Sequence, residues 1–198
     1  MSISIENTVN ALKKNNMNVI RAKDAGAVIK ELDALIPEDA TLGHGGSMTI
    51  ALSGIEEHLK SHFKNYTDDR SVHHTLDFYL ASANAITEDG KIYEVDGYSN
   101  RISCILNGPK KVVIIASVNK IVKDLKEAEH RVMTIAAPKN AVRLNKKTPC
   151  AVTGECIALK TGKRCDSPDR ICSNTLIMEK QTIKDRITVI LVDEPLGY

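Results

Sequence analysis

Residues 112–117 are Val-Val-Ile-Ile-Ala-Ser, an uninterrupted apolar run that ends in a polar side chain. A strand buried on both faces has this composition, whereas a strand with one solvent-exposed face alternates polar and apolar residues. Residues 189–192 are a second apolar run, at the end of a strand predicted at 186–192. Helical patterns alternate with such runs along the chain. We therefore predict an α/β fold, a layered sandwich with a largely parallel sheet.

Local signals place the other elements. Ser4 and Asp24 are predicted helix caps, and Pro37 ends the second helix. Asn119 is predicted to cap a helix that begins at Lys120. The remaining predicted helices are 55–63, 100–106 and 140–145, and the remaining predicted strands are 18–22, 41–42, 78–87, 91–96 and 175–178.

Length and composition limit the class of protein. The chain has 198 residues, 42% of them hydrophobic and 26% charged, which is typical of a soluble globular chain. The net charge is only +2 and aromatic residues are 4%, so neither a basic surface nor base stacking favours nucleic acid as a partner. Apolar runs are too short to cross a membrane and no apolar leader opens the chain, so we expect a cytoplasmic location. We expect one domain over 1–198, with an N-terminal helical part at 1–38 and a cysteine-rich loop at 148–173.

A glycine-rich turn follows the short strand at 41–42. Its residues are Gly43-His44-Gly45-Gly46-Ser47-Met48-Thr49. Glycines let backbone amides approach a ligand, the following helix start adds a positive dipole end, and Ser47 and Thr49 add hydroxyls. This combination suits a carboxylate or phosphate, although no Gly-Lys-Ser/Thr follows and the turn is not a Walker loop. The alternative is a turn that only connects strand to helix.

Further polar residues lie at predicted strand and helix ends, where α/β proteins place ligands. Lys120 falls at a predicted helix start, where the dipole disfavours a cation, and an anion shared with Arg101 would remove that conflict. The alternative is a hydrogen-bond network that joins sheet and helices. The candidate ligand-binding residues are Gly45, Gly46, Ser47, Thr49, Ser82, Asn84, Thr87, Glu88, Asn100, Arg101 and Lys120.

Four cysteines lie near the C-terminus with the spacing C-x5-C-x8-C-x6-C. Four thiolates are what a tetrahedral Zn site or an Fe–S cluster requires. Residues 139–170 carry eight basic and three acidic side chains, and the basic excess would stabilise an anionic centre. The alternatives are unrelated free thiols on a flexible loop, or a disulfide. Cys104 lies in an apolar helical stretch and is expected in the core. The candidate metal ligands are Cys150, Cys156, Cys165 and Cys172.

Several short motifs follow one another in a distinctive order. They are Gly45–Thr49, Ser82–Gly90, Asp96-Gly97 with Asn100-Arg101, Gly108–Val112, Asn119–Val122, Ala136-Ala137-Pro138 with Asn140-Ala141, Ser167–Cys172 and Glu194–Tyr198. This succession resembles the LUD domain family, the group named for lactate-utilisation protein C. The resemblance implies a fold similar to the NagB, ribose-5-phosphate isomerase and CoA-transferase superfamily, whose members bind anionic ligands at glycine-rich loops.

The resemblance also suggests a function. Some family members act with iron–sulfur partner proteins in lactate oxidation, which implies redox metabolism of small 2-hydroxy or 2-oxo acids, an Fe–S cluster or Zn at the cysteines, and a redox protein partner. Members of the cysteine-bearing branch have a similar four-cysteine region in which the second and third cysteines are usually close together. Here residues 157–164 separate them, which looks like an insertion of about six residues.

Two other functions stay open. One is a non-catalytic accessory or sensor subunit that binds an anionic metabolite. The other is an isomerase or transferase acting on a sugar phosphate or acyl-CoA. An isomerase would need a carboxylate base, for which Glu88, Asp89 and Glu194 are the candidates.

Overall fold

The strands form two sheets in the computed structural model, which describes residues 4–198. Both long apolar runs of the sequence are strands, and their residues are completely or almost completely buried. The strands are β1 (Asn18–Ala22), β2 (Leu42–His44), β3 (Phe78–Ala81), β4 (Ala85–Thr87), β5 (Ile92–Asp96), β6 (Lys111–Ser117), β7 (Ile121–Val122), β8 (Asn174–Met178) and β9 (Ile187–Val192).

The larger sheet has the strand order β1-β9-β6-β3-β2, and every pair in it is parallel. The two apolar runs are neighbours at its centre, with Val112 opposite Ile187. The smaller sheet has the order β7-β4-β5-β8, in which β5 is antiparallel to both neighbours. The predicted α/β sandwich with a largely parallel sheet is confirmed.

Helices cover these sheets, and the first two begin as predicted. The Ser4 side chain accepts a hydrogen bond from the Asn7 amide, and Asp24 accepts one from the Ala27 amide. No helix in the described part of the chain is both long and apolar enough to span a membrane. The helices are α1 (Ile5–Lys14), α2 (Ala25–Leu35), α3 (Met48–Ala51), α4 (Ile55–His62), α5 (Asn100–Leu106), α6 (Leu125–Arg131), α7 (Ala137–Arg143), α8 (Pro149–Thr153) and α9 (Ala158–Thr161), with 3₁₀ turns at Arg70–Thr75 and Val118–Lys120 and a π-helical turn at Val132–Ala136.

Alternate residues of the central strands supply two cores. On β6, Val113 and Ile115 pack with α2, α3 and α4 on one face of the larger sheet. Ile114 packs on the other face, against the smaller sheet, α1 and α5. A third cluster lies between the smaller sheet and the α6–α7 region. The apolar runs are continuous because the larger sheet is covered on both faces.

Two predicted elements differ most from the structure in their boundaries. The stretch 78–87 is two strands in different sheets, because the chain leaves the larger sheet after Ala81 and enters the smaller one at Ala85. The predicted helix at 120–131 starts five residues late, because Ile121 and Val122 pair with β4 and Asp124 provides the cap. Lys120 therefore lies in a 3₁₀ turn and not at a helix start.

Candidate functional site

A cavity of about 330 Å³ opens beside the carboxyl ends of β2, β3 and β6. In a parallel sheet these ends lie at one edge, which is where ligands of α/β proteins bind. The loops that follow the strands bring together seven of the predicted ligand-binding residues. These wall residues are Gly46, Ser47, Ser82, Asn84, Asn100, Arg101 and Lys120.

The charged side chains of the cavity wall are mostly basic. Asp96 is the acidic member, and its carboxylate accepts the backbone amides of Tyr98 and Arg101 at 3.2 and 3.0 Å. Because that carboxylate already accepts bonds from the start of α5, the remaining charge of the wall favours an anion. The basic members are Arg70, Arg101, Lys120, Arg143 and Lys146.

Arg101 links the glycine-rich turn to the smaller sheet. Its Nη1 donates to the Gly46 carbonyl at 3.2 Å, and its Nη2 donates to the Val95 carbonyl at 2.8 Å. Nη2 also lies 3.4 Å from Asn84 Oδ1. The buried Nε has no acceptor in the described part of the chain. The guanidinium is thus held against the cavity with one donor still free.

Glu94 lies behind Arg101 and is completely buried. Its Oε2 is 3.0 Å from Arg101 Nη2, an ion pair whose angles are not those of a hydrogen bond. Burial raises the pKa of Glu94 to about 7, although the positive charges of Arg101 and Lys120 oppose that rise. Glu94 therefore exchanges its proton near neutral pH.

Lys120 is 3% exposed and reaches the cavity floor from the 3₁₀ turn after β6. Its Nζ donates to Thr49 Oγ1 at 2.8 Å and to Ser82 Oγ at 2.9 Å. Burial and, to a smaller extent, the positive charge of Arg131 lower the pKa of Lys120 to about 7. Thr49, which was predicted as a ligand-binding residue, thus acts beneath the cavity by holding Lys120.

The two predicted glycines have different roles. A side chain at Gly45 would place its Cβ 2.6 Å from the Tyr79 hydroxyl and 2.9 Å from Arg101 Cγ, so the close approach requires glycine. A Cβ at Gly46 would meet nothing within 4 Å. Ser47 caps α3, which is only one turn long, so the dipole contribution expected from the sequence is small. The charge of the site comes from side chains.

Thr87 and Glu88 lie outside the cavity wall. Thr87 bonds the side chain of Asp89 and the Lys91 amide in the turn after β4. The Glu88 carboxylate accepts from the Ser4 amide at 3.1 Å and thereby fastens α1. The structure gives both residues a role in joining elements and does not bring them to the other predicted ligand-binding residues.

The four cysteines of 148–173 lie near one another. Burial raises the pKa of the Cys150 thiol, and the neighbouring thiols of Cys156, Cys165 and Cys172 raise it further. Within the described residues, however, the sets of three metal-ligand atoms that come within 4.8 Å of one another contain no cysteine. Those sets are Asp33 with His58 and His62, and His44 with Glu56 and Asp68. The four thiols are neighbours, but no three of their sulfur atoms lie within 4.8 Å of one another. Cys104 is buried in α5, apart from them.

The cysteine-rich segment also forms part of the cavity wall. Ile171 and Cys172 line the cavity. The Arg170 guanidinium donates to the Cys172 carbonyl at 3.0 Å and to the Cys165 carbonyl at 3.4 Å, which holds the end of the segment in place. The sequence suggests two separate sites, whereas the structure makes them adjacent.

Several residues of the site are not predicted from the sequence. Glu94 had a usable signal, because strand alternation puts it on the same face as the core residue Ile92. No signal pointed to Arg143 or Lys146, because they come from a helix end and a loop that only the fold brings to the wall. In the sequence, Tyr198 stands only as the end of the motif Glu194–Tyr198, with no predicted role in a site.

Comparisons with known proteins agree with the fold. A family model described as LUD domain matches residues 5–192. The structure is similar to that of a duf162 family protein from Deinococcus radiodurans, with a TM-score of 0.54 and 9% sequence identity over 96% of each chain. At this identity the likeness supports a shared fold alone. No curated protein sequence matches the chain.

Proposed function

The chain belongs to the LUD domain family, and we propose that it binds a small anionic metabolite of the 2-hydroxy or 2-oxo acid class, the class of lactate and pyruvate, in the cavity beside the glycine-rich turn. One observation carries the proposal. Arg101 and the almost completely buried Lys120 both reach a cavity whose wall has five basic side chains and a single acidic one, Asp96. Cations held away from water gain most from an anionic partner.

The size and donors of the site favour a small carboxylate. A volume of about 330 Å³ lies at the lower end of the usual range for ligand pockets. A guanidinium presents donors in a fork that matches a carboxylate, and Arg101 lines the cavity. Arg143 and Lys146 at the wall would add long-range attraction for the same charge.

We also propose that Cys150, Cys156, Cys165 and Cys172 hold Zn or an Fe–S cluster. The donor set fits in kind and number, since either centre takes four thiolates, and the thiols are close enough to affect one another's charge. A cluster would supply one-electron transfer to a redox protein partner, and Zn would hold the segment folded. Arg164 and Arg170 lie in the segment and would offset the negative charge of either centre.

The adjacency of the two sites also favours a second function, that of a non-catalytic sensor. Cys172 belongs to both the cysteine group and the cavity wall. A ligand in the cavity would therefore shift the segment, and the state of the thiols would alter ligand affinity. The isomerase alternative has less support, because none of its candidate bases, Glu88, Asp89 and Glu194, lines the cavity. Glu88 and Asp89 are also engaged in contacts with α1 and the turn after β4.

Titration calorimetry with lactate, pyruvate and inorganic phosphate tests the ligand proposal. We expect one of the two organic acids to bind, and Arg101→Ala to weaken that binding by about tenfold or more, since a hydrogen bond to a charged group contributes roughly 1.5–3 kcal/mol. Arg21→Ala is the matched control, because Arg21 is partly exposed and pairs with Asp193 away from the cavity. Equal affinity in the wild type and in Arg101→Ala, or no binding of either acid, would contradict the proposal.

A further inference from the structure

Lys120 is a buried amine whose hydrogen-bond partners leave one direction open. Thr49 Oγ1 and Ser82 Oγ each accept an N–H from Nζ. Among the described residues, no carboxylate lies within 4.0 Å of this nitrogen. The remaining tetrahedral position on Nζ is the one available to the cavity that Lys120 lines.

The hydroxyl hydrogens of Ser82 and Thr49 are not donated to Lys120, because each is donated to another acceptor. Ser82 Oγ donates to Thr49 Oγ1 at 3.1 Å, and Thr49 Oγ1 donates to the Leu196 carbonyl at 3.3 Å. Each hydroxyl therefore offers Nζ a lone pair. A neutral amine satisfies both hydroxyls with its two hydrogens, and its own lone pair then takes the open position.

Electrostatics make that neutral form accessible at neutral pH, beside the charged one. Burial and the charges of Arg131 and Arg101 lower the pKa of Lys120, while the negative charge of Glu94 opposes them, and the balance is a pKa of about 7. A solvent-exposed lysine has only roughly one amine in a few thousand unprotonated at neutral pH. Lowering of this kind is how proteins make a lysine nucleophilic.

We propose that Lys120 Nζ is a nucleophile that forms a Schiff base with the carbonyl carbon of a 2-oxo acid bound in the cavity. The inference rests on the proposed function, since it assigns a covalent step to the same site. Arg101 would hold the carboxylate of the acid. The hydroxyls of Thr49 and Ser82 hold the amine in place, and its remaining valence is the one available to a ligand in the cavity that Lys120 lines.

The step balances without a redox partner. The Nζ lone pair forms a C–N bond, and the electron pair of the carbonyl π bond moves to oxygen, which takes up a proton. Nitrogen loses a proton to give a carbinolamine. A second proton on that oxygen allows it to leave as water while the nitrogen lone pair forms the C=N bond. Amine and carbonyl thus give an imine and water, and hydrolysis reverses the step.

Reductive trapping tests the inference on the full-length protein. Borohydride delivers hydride to an imine carbon and makes the C–N bond permanent. With pyruvate and borohydride we expect the mass of one reduced pyruvate group per chain, located at Lys120 by peptide mapping. With lactate, which has no carbonyl next to its carboxylate, we expect no adduct. An adduct on another lysine, or none on Lys120, would overturn the inference whether or not Lys120 variants fold.

Two lysine variants test whether the adduct forms at Lys120. Lys120→Met should abolish the adduct, whereas Lys123→Met, which removes an exposed lysine outside the cavity wall, should retain it. An adduct that persists in a folded Lys120→Met protein would count against the assignment. Calorimetry on the same samples separates the two proposals. Pyruvate binding without an adduct refutes the Schiff base alone, whereas absence of an adduct and of binding by both pyruvate and lactate refutes the ligand proposal as well.

The pH dependence of trapping is a second readout. The trapping rate at Lys120 should rise with pH and level off slightly above pH 7, whereas trapping at exposed lysines keeps rising towards pH 10. A profile that rises to pH 10 would show an ordinary lysine and contradict the inference. The groups that face Lys120 and shape its profile are Glu94 on β5, Arg101 on α5, Arg131 on α6, and the hydroxyls of Thr49 and Ser82.

Discussion

Arg101 Nη2 lies 3.0 Å from Oε2 of Glu94, a carboxyl group with no solvent exposure. The ion pair fixes the guanidinium at the back of the cavity, and Lys120 adds a second positive charge that Glu94 experiences. Burial favours the neutral form of Glu94 and the two positive charges favour its ionised form, so both forms are populated near neutral pH. An anionic ligand would change that balance, so the ionisation of Glu94 and ligand binding are expected to be coupled.

Glu94→Gln should change how stability depends on pH. The pKa of Glu94 is about 7 in the folded protein and 4.5 in the unfolded chain. Between these values the folded state binds more protons, so the carboxyl's contribution to stability falls as pH rises from 4.5 to 7, by roughly 3 kcal/mol. Denaturant titrations over this range should show the fall in wild type and not in the variant.

The control for this measurement is Glu57→Gln, because Glu57 is an exposed acid on α4. We expect its stability curve to run parallel to that of the wild type. A Glu94→Gln curve that also runs parallel to the wild type would show that the carboxyl titrates normally and would refute the prediction.

Lys120→Met should change the pH dependence of stability in the opposite direction, and at higher pH. The pKa of Lys120 is about 7 when folded and 10.5 when unfolded, so the unfolded chain binds more protons between these values. Wild-type stability should therefore rise with pH relative to Lys120→Met from pH 7 to 10, by several kcal/mol. Lys123→Met, which removes an exposed lysine, should show no such difference. A constant gap between wild type and Lys120→Met would exclude a lowered pKa.

Gly45→Ala and Gly46→Ala should differ sharply although the residues are adjacent. The new methyl at 45 would collide with the Tyr79 hydroxyl and the stem of Arg101, so we expect a loss of roughly 1–3 kcal/mol in stability and weaker ligand binding. The methyl at 46 meets no atom and should leave stability almost unchanged. Thermal unfolding with and without pyruvate measures both effects. Similar losses in the two variants would mean that the turn does not approach Arg101 as described.

Metal analysis of protein purified without air tests the four-cysteine centre. We expect iron with sulfide, or zinc, in the wild type and in Cys104→Ser, and neither in a variant with serine at 150, 156, 165 and 172. Iron with sulfide would favour electron transfer, and zinc alone would favour a structural role. Because Cys172 lines the cavity, the quadruple variant should also bind pyruvate with altered affinity. Metal-free wild type would refute the centre, and unaltered affinity would refute the coupling.

Local rules predicted much of the fold. The caps Ser4 and Asp24 are where side-chain chemistry places them, since a cap bonds amides only two or three residues away. The apolar runs on β6 and β9 predicted a buried parallel sheet. Local rules failed at the segment 82–84, where the chain changes sheets, because a crossing is set by which strands lie on either side and not by the residues that cross.

The sequence alone determined the class of fold, the glycine-rich turn and the four-cysteine group, because each depends on composition or on short spacings. Only the tertiary structure decided that Arg101 and Lys120 reach one cavity, that Glu94 lies buried behind them, and that Cys172 forms part of the same wall. These residues come from distant parts of the chain. Their distances and the ionisation that follows depend on burial and on through-space charge, which arise only when the layers pack together.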